Sequence, residues 1–112
     1  MRYWILDAAG EPVPTDDVTV WAAWFETAAA DRVIARDKDE AAGPGGVLVS
    51  TVFLGLNHQW GDGPPVLWET LVFGGALDGE MNRYTSRAAA LAGHAAMCAR
   101  VAEVGPFTPG SH

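Results

Sequence analysis

Two runs near the middle of the chain, residues 47–56 and 66–73, carry apolar side chains on both alternating faces. In the first, Val47, Val49, Thr51 and Phe53 face one way and Leu48, Val52, Leu54 and Leu56 the other. In the second, Val66, Trp68, Thr70 and Val72 oppose Leu67, Glu69, Leu71 and Phe73. A period of two marks strands, and strands apolar on both faces lie centrally in a sheet that is covered on both sides. These two strands are the expected centre of the fold.

The flanking pattern predicts the remaining elements. Residues 2–6 read as a short strand, turned by Gly10 and Pro12. Thr15 as cap, with Asp16 and Asp17 in the first turn, predicts a helix from near Asp16. Its stripe is Val18, Trp21, Phe25 and Ala28 with Trp24 beside it, a packing face rather than an aromatic platform. Residues 32–36 read as a further strand that puts Arg32 and Arg36 on one solvated side, and residues 37–46 as an exposed loop. Residues 78–84 form a polar connection or short edge strand. Thr85 or Ser86 then caps a helix to about Val104, with Ala88, Leu91, Ala95, Cys98 and Ala102 as its buried stripe; Gly105 and Pro106 end it, and a frayed tail follows.

The expected fold class is α+β: a small antiparallel sheet of three to five strands with two helices packed on one face. Residues 1–104 form a single domain and residues 105–112 a flexible tail. Two helices cover one face only, so the second apolar face predicts a homo-oligomer.

Composition narrows the classes. A length of 112 residues suits one core, and 49% hydrophobic residues with five Trp and four Phe can fill it. A formal net charge of −7 argues against binding duplex nucleic acid, which draws on clustered cations. A small anionic ligand remains compatible, because a few converging Arg side chains make a local site. Cys98 is the lone cysteine, which excludes an internal disulfide framework. With a polar opening segment, it predicts a cytoplasmic, reducing location. No stretch approaches the roughly 20 apolar residues of a membrane-spanning helix.

Candidate chemistry concentrates in the loop between the central strands, residues 57–65. It is too long for a two-residue turn, and it offers Asn57, His58 and Trp60 to stack on and hydrogen-bond a planar ligand such as a nucleobase. Glu69, mid-strand among apolar neighbours, needs a partner: Arg32, Arg36, Arg83, Arg87 or a ligand donor. Arg83 and Arg87 flank a predicted helix N-terminus that could receive phosphate. His94 and Cys98, four apart on the last helix, have a spacing compatible with metal ligation, but two donors make no site and no metal is assigned. No residue stands as a nucleophile beside its base, so no catalytic set is assigned, and no cofactor motif is present.

With those residues in view, the chain resembles a group of small proteins encoded by bacteriophages and prophages. The resemblance is carried by Leu6-Asp7, Trp21 with Trp24-Phe25-Glu26, residues 50–58 (STVFLGLNH), Trp68-Glu69-Thr70 with Val72-Phe73-Gly74-Gly75, and Gly93-His94. In that pattern Asp often stands where this chain has Asn57. The group lends no activity residue by residue. Its size and expected oligomerisation are similar to those of phage sponges that sequester the cyclic nucleotide signals of bacterial anti-phage defence such as CBASS. The resemblance thus implies a non-enzymatic phage accessory protein acting in the host cytoplasm. In that reading Asn57, His58, Trp60 and Glu69 meet a base, and Arg83 and Arg87 meet phosphate. Two alternatives stand beside it: an interaction module that blocks a host factor through its acidic surface, and a small nucleotide hydrolase or lyase using His58 and Glu69 with Asp62.

Overall fold

The structure is a computed structural model that describes residues 2–42, 45–58 and 61–109. Its frame is a four-stranded antiparallel sheet in chain order: β3 (Val33–Asp39), β4 (Val47–Phe53), β5 (Trp68–Phe73) and β6 (Met81–Tyr84). A hairpin of β1 (Tyr3–Leu6) and β2 (Pro12–Thr15) forms a second sheet. Helix α1 (Val18–Thr27), the short α2 (Ala29–Arg32) and the long α3 (Arg87–Val104) complete an α+β fold.

The pairing follows from the apolar pattern. In β4, Val47, Val49, Thr51 and Phe53 are buried and the residues between them half-buried. In β5, Trp68, Thr70 and Val72 are buried on the same side, opposite Phe53, Thr51 and Val49. Helix α3 lies across this face. Val47, Val49 and Val72 pack against Met97, Cys98, Val101 and Phe107; Phe53, Leu67 and Trp68 pack against Ala90 and Leu6, with Trp4, Trp24 and Tyr84 alongside. Among the described residues Thr51, Thr70 and His94 are the buried polar side chains, and along the strands the two threonines fall between these apolar clusters.

Helix α1 reaches the same face through aromatic rings. Tyr3 and Trp21 have centroids 5.2 Å apart, Trp24 meets Phe53 edge-on at 5.8 Å, and Phe53 meets Trp68 at 5.5 Å. Trp21 Nε1 donates to the Gly55 carbonyl at 3.1 Å. Gly55 has φ +77°, and a Cβ there would press on the Trp21 indole, so this position needs glycine on both counts. Trp21 and Trp24 are packing residues, as their spacing implied.

Several expectations are corrected. Thr15 does not cap α1. It ends β2, and Asp17 is the cap, its carboxylate accepting from the amides of Thr19 and Val20. Residues 37–39 belong to β3 rather than a loop. Asp37 and Asp39 pair opposite the buried Val49 and Val47, so both carboxylates turn under the sheet. Each is satisfied there, Asp37 by His94 and Asp39 by the Thr108 amide. Inward-pointing acids of this kind also protect an edge strand from pairing with another chain. Arg32 lies in α2, not in the strand with Arg36, and its guanidinium sits 3.7 Å from the Phe25 ring centroid.

The buried stripe of α3 is Ala90, His94, Met97, Cys98 and Val101, whereas Ala88, Leu91, Ala95 and Ala102 face solvent. The helix is apolar nearly all round, so the pattern does not select a face; the hydrogen bonds of His94 do. The chain beyond Gly105 is not wholly free either, because Phe107 is buried in the core.

Candidate functional site

Beyond Phe53 the chain of β4 continues toward the loop, and the hairpin docks on that continuation. The Trp4 amide donates to the Gly55 carbonyl at 2.9 Å, and Tyr3 bridges Leu56. This junction opens a cleft of about 500 Å³ lined by Arg2, Trp4, Leu56, Asn57, His58 and Pro65. Its volume falls in the range of small-molecule sites. The loop wall is tied down by its own hydrogen bonds. Asn57 Oδ1 accepts from the Val66 amide at 2.9 Å, and the His58 amide donates to the Val66 carbonyl at 3.0 Å. Asn57 thereby shapes the wall, and the exposed His58 is part of the lining.

The other sequence-derived candidates are distributed elsewhere. Trp60 lies outside the described residues. Glu69 has Arg83 as its partner, directly opposite on β6, with Nε donating to Oε2 at 3.0 Å. This pair stands on the sheet face away from α3. Arg87, the first residue of α3, instead lines a hollow near the β1–β2 turn with Asp7, Gly10, Trp24 and Asp31. The two acids there make it a poor anion site. The structure thus brings Asn57 and His58 together and adds Arg2 and Trp4 to them, while the Glu69–Arg83 pair and Arg87 lie outside this cleft.

A second constellation lies beneath α3. Tyr84 donates to Thr70 Oγ1 at 3.0 Å, Thr70 and Thr51 share a hydrogen bond, Thr51 Oγ1 lies 2.7 Å from His94 Nδ1, and His94 Nε2 lies 2.6 Å from Asp37 Oδ2. A carboxylate only accepts, so Nε2 carries the ring proton; with one proton on the ring, Nδ1 accepts from Thr51, and Thr51 in turn accepts from Thr70. Every hydroxyl donates once and the chain runs one way, from Tyr84 to Asp37. Gly93 permits its start, because a Cβ there would overlap the Tyr84 ring.

The order Thr–His–Asp is that of a nucleophile, its base and an orienting acid. Thr51 is nevertheless 0% exposed in the middle of the sheet, where no substrate reaches it, so the chain is a structural tie. Cys98 closes the cluster, its thiol donating to Asp37 Oδ2 at 3.5 Å. Burial, then the Asp37 charge and this hydrogen bond, push the thiol pKa up to about 12. The strand pattern put Thr51 on one face with Val49 and Phe53 and Thr70 on one face with Trp68 and Val72 without singling either face out as the core side, and the helix spacing paired His94 with Cys98. What was missed is Asp37, hidden in a charged run that read as a loop.

Compared with known protein families, with curated proteins and with solved structures, the chain finds no match. Among the described residues no helix is long and apolar enough to cross a membrane.

Proposed function

We propose that this chain is a non-enzymatic binding protein that captures a small anionic nucleotide in the cleft between Arg2, Trp4 and His58. The observation that carries this reading is that a cation, an indole and an imidazole line one cleft together with the apolar side chains of Leu56 and Pro65. A base stacks on an aromatic face and is held at its edge by a few hydrogen bonds, while a guanidinium meets phosphate. Glu69 and Arg83, each satisfied by the other, are not needed for it.

The resemblance to phage-encoded proteins extends the reading. The ligand is a cyclic oligonucleotide signal of host anti-phage defence, and the protein sequesters it in the host cytoplasm as a homo-oligomer. Sequestration needs affinity and no turnover.

The test is a thermal-shift screen against cyclic di- and trinucleotides, linear mononucleotides and ADP-ribose, with chromatography of the recovered ligand. A ligand at about 100 times its dissociation constant stabilises by about 2.7 kcal/mol, a readily measured rise in melting temperature. A shift with intact ligand supports the proposal. Recovered product would favour a hydrolase or lyase, and no shift across the panel would favour a protein partner for the acidic surface.

A further inference from the structure

Three different metal-binding side chains meet on the core side of the sheet, away from the cleft and sharing no residue with it. Asp37 comes from β3 and His94 and Cys98 from successive turns of α3; one donor atom from each lies within 4.8 Å of the other two. We infer that Asp37 Oδ2, His94 Nε2 and Cys98 Sγ form a binding site for a divalent transition-metal ion of the zinc type.

The donor set is a carboxylate oxygen, an imidazole nitrogen and a thiolate, the mixture that suits a borderline-soft ion and not magnesium or calcium. The spacing is close to what such an ion needs. Tetrahedral zinc, with nitrogen and oxygen at about 2.0 Å and sulfur at about 2.3 Å, holds its donors about 3.3–3.6 Å apart. The sulfur and the Asp37 oxygen are already 3.5 Å apart. The 2.6 Å between His94 Nε2 and that oxygen has to open by less than about 1 Å, and the separation of Nε2 and Sγ, within 4.8 Å, has to close by up to about 1.3 Å.

The surroundings of His94 fit the same role. A metal-ligating histidine is held by a partner on its other ring nitrogen, and Thr51 already holds Nδ1 at 2.7 Å. On binding, Nε2 gives up its proton to the solvent and offers its lone pair. Thr51 passes a proton to Nδ1, Thr70 one to Thr51 and Tyr84 one to Thr70, and Tyr84 regains a proton from solvent. The hydrogen bonds between His94 and Tyr84 reverse direction, those of His94 Nε2 and the Cys98 thiol to Asp37 give way to the ion, and the net release is the one proton of the Cys98 thiol. Asp37 is 18% exposed by side chain at the sheet edge, which gives an ion its way in. Three protein donors leave the fourth position of the tetrahedron to a non-protein ligand.

The experiment titrates the reduced, chelator-treated full chain with Co²⁺ and then with Zn²⁺, followed by absorption. The expected result is one Co²⁺ per chain, a thiolate-to-cobalt charge-transfer absorption and its loss on displacement by Zn²⁺. Cys98 is the only cysteine, so that absorption reports this site, and Cys98→Ala abolishes it. Asp37→Asn and His94→Gln weaken binding by about tenfold or more, with circular dichroism to verify that each variant is folded. Absence of the absorption in the wild-type protein at millimolar Co²⁺ overturns the site. So does its full persistence in folded Asp37→Asn and His94→Gln, which would mean a thiol adduct alone.

Discussion

Thr51 occupies a core position that a valine would fill equally well, and its hydroxyl is what ties His94 to the sheet. Thr51→Val removes the donor to Nδ1 while keeping the shape, so a buried ring nitrogen loses its partner. The expected cost is about 1–3 kcal/mol, measured by urea unfolding. The strand period put Thr51 on a face with Val49 and Phe53, but its partners are Thr70, 19 residues on, and His94, 43 residues on, which in turn meets Asp37; only the topology brings these together. Asp17 gives a pH signature at the same scale. The Thr19 hydroxyl, then the Thr19 and Val20 amides, hold its carboxyl below the ordinary value of 3.8. A carboxyl with a depressed folded pKa stabilises the fold above its unfolded value, and this contribution is lost as pH falls through the folded one. Urea midpoints of the wild type therefore drop more steeply below pH 3.8 than those of Asp17→Asn, which keeps a capping oxygen and has no charge to lose.

At the scale of elements, the central strands were readable because their alternation is long and apolar, and α3 because Ser86 caps it and its length is uninterrupted. Its face was not readable. With alanines all round the helix, a stripe through Ala88, Leu91 and Ala95 is as easily drawn as the buried one through Ala90, His94 and Met97, and the spacing of His94 and Cys98 names neither the acid nor the threonine that meets His94. The hairpin β1–β2 was half read, since Pro12 and Pro14 suggest a turn and a helix start; as an edge strand, β2 tolerates both. Past α3, Phe107 packs with Val47, Val49 and Val101 in the core. Phe107→Ala is expected to destabilise by about 3 kcal/mol in urea unfolding. A change under 0.5 kcal/mol would mean that the segment after Gly105 is a free tail, as its composition suggested.

For the whole molecule, the shape matters. The extents are 44 × 30 × 21 Å and the radius of gyration is 15.1 Å, against about 13 Å for a compact chain of this length. One sheet with helices on one side makes a flat body, and its other face presents Leu48, Leu71, Phe73 and Met81, of which Phe73 is 47% and Met81 46% exposed. An apolar face of that kind favours association. Sedimentation at micromolar concentration should give a species of more than one chain, and Phe73→Glu, at a position half in solvent already, should give monomers; a wild-type monomer would contradict the expectation.

The central claim, that the cleft between the hairpin and the central loop holds a nucleotide, is tested most directly by calorimetric titration of the screened nucleotides into wild type and into Arg2→Ala/His58→Ala. Both residues are exposed, so the variant should melt as the wild type does without ligand. The account predicts an affinity loss of at least about tenfold, or 1.4 kcal/mol, in that variant. An affinity equal to that of the wild type, or no binding by the wild type across the panel, would contradict it.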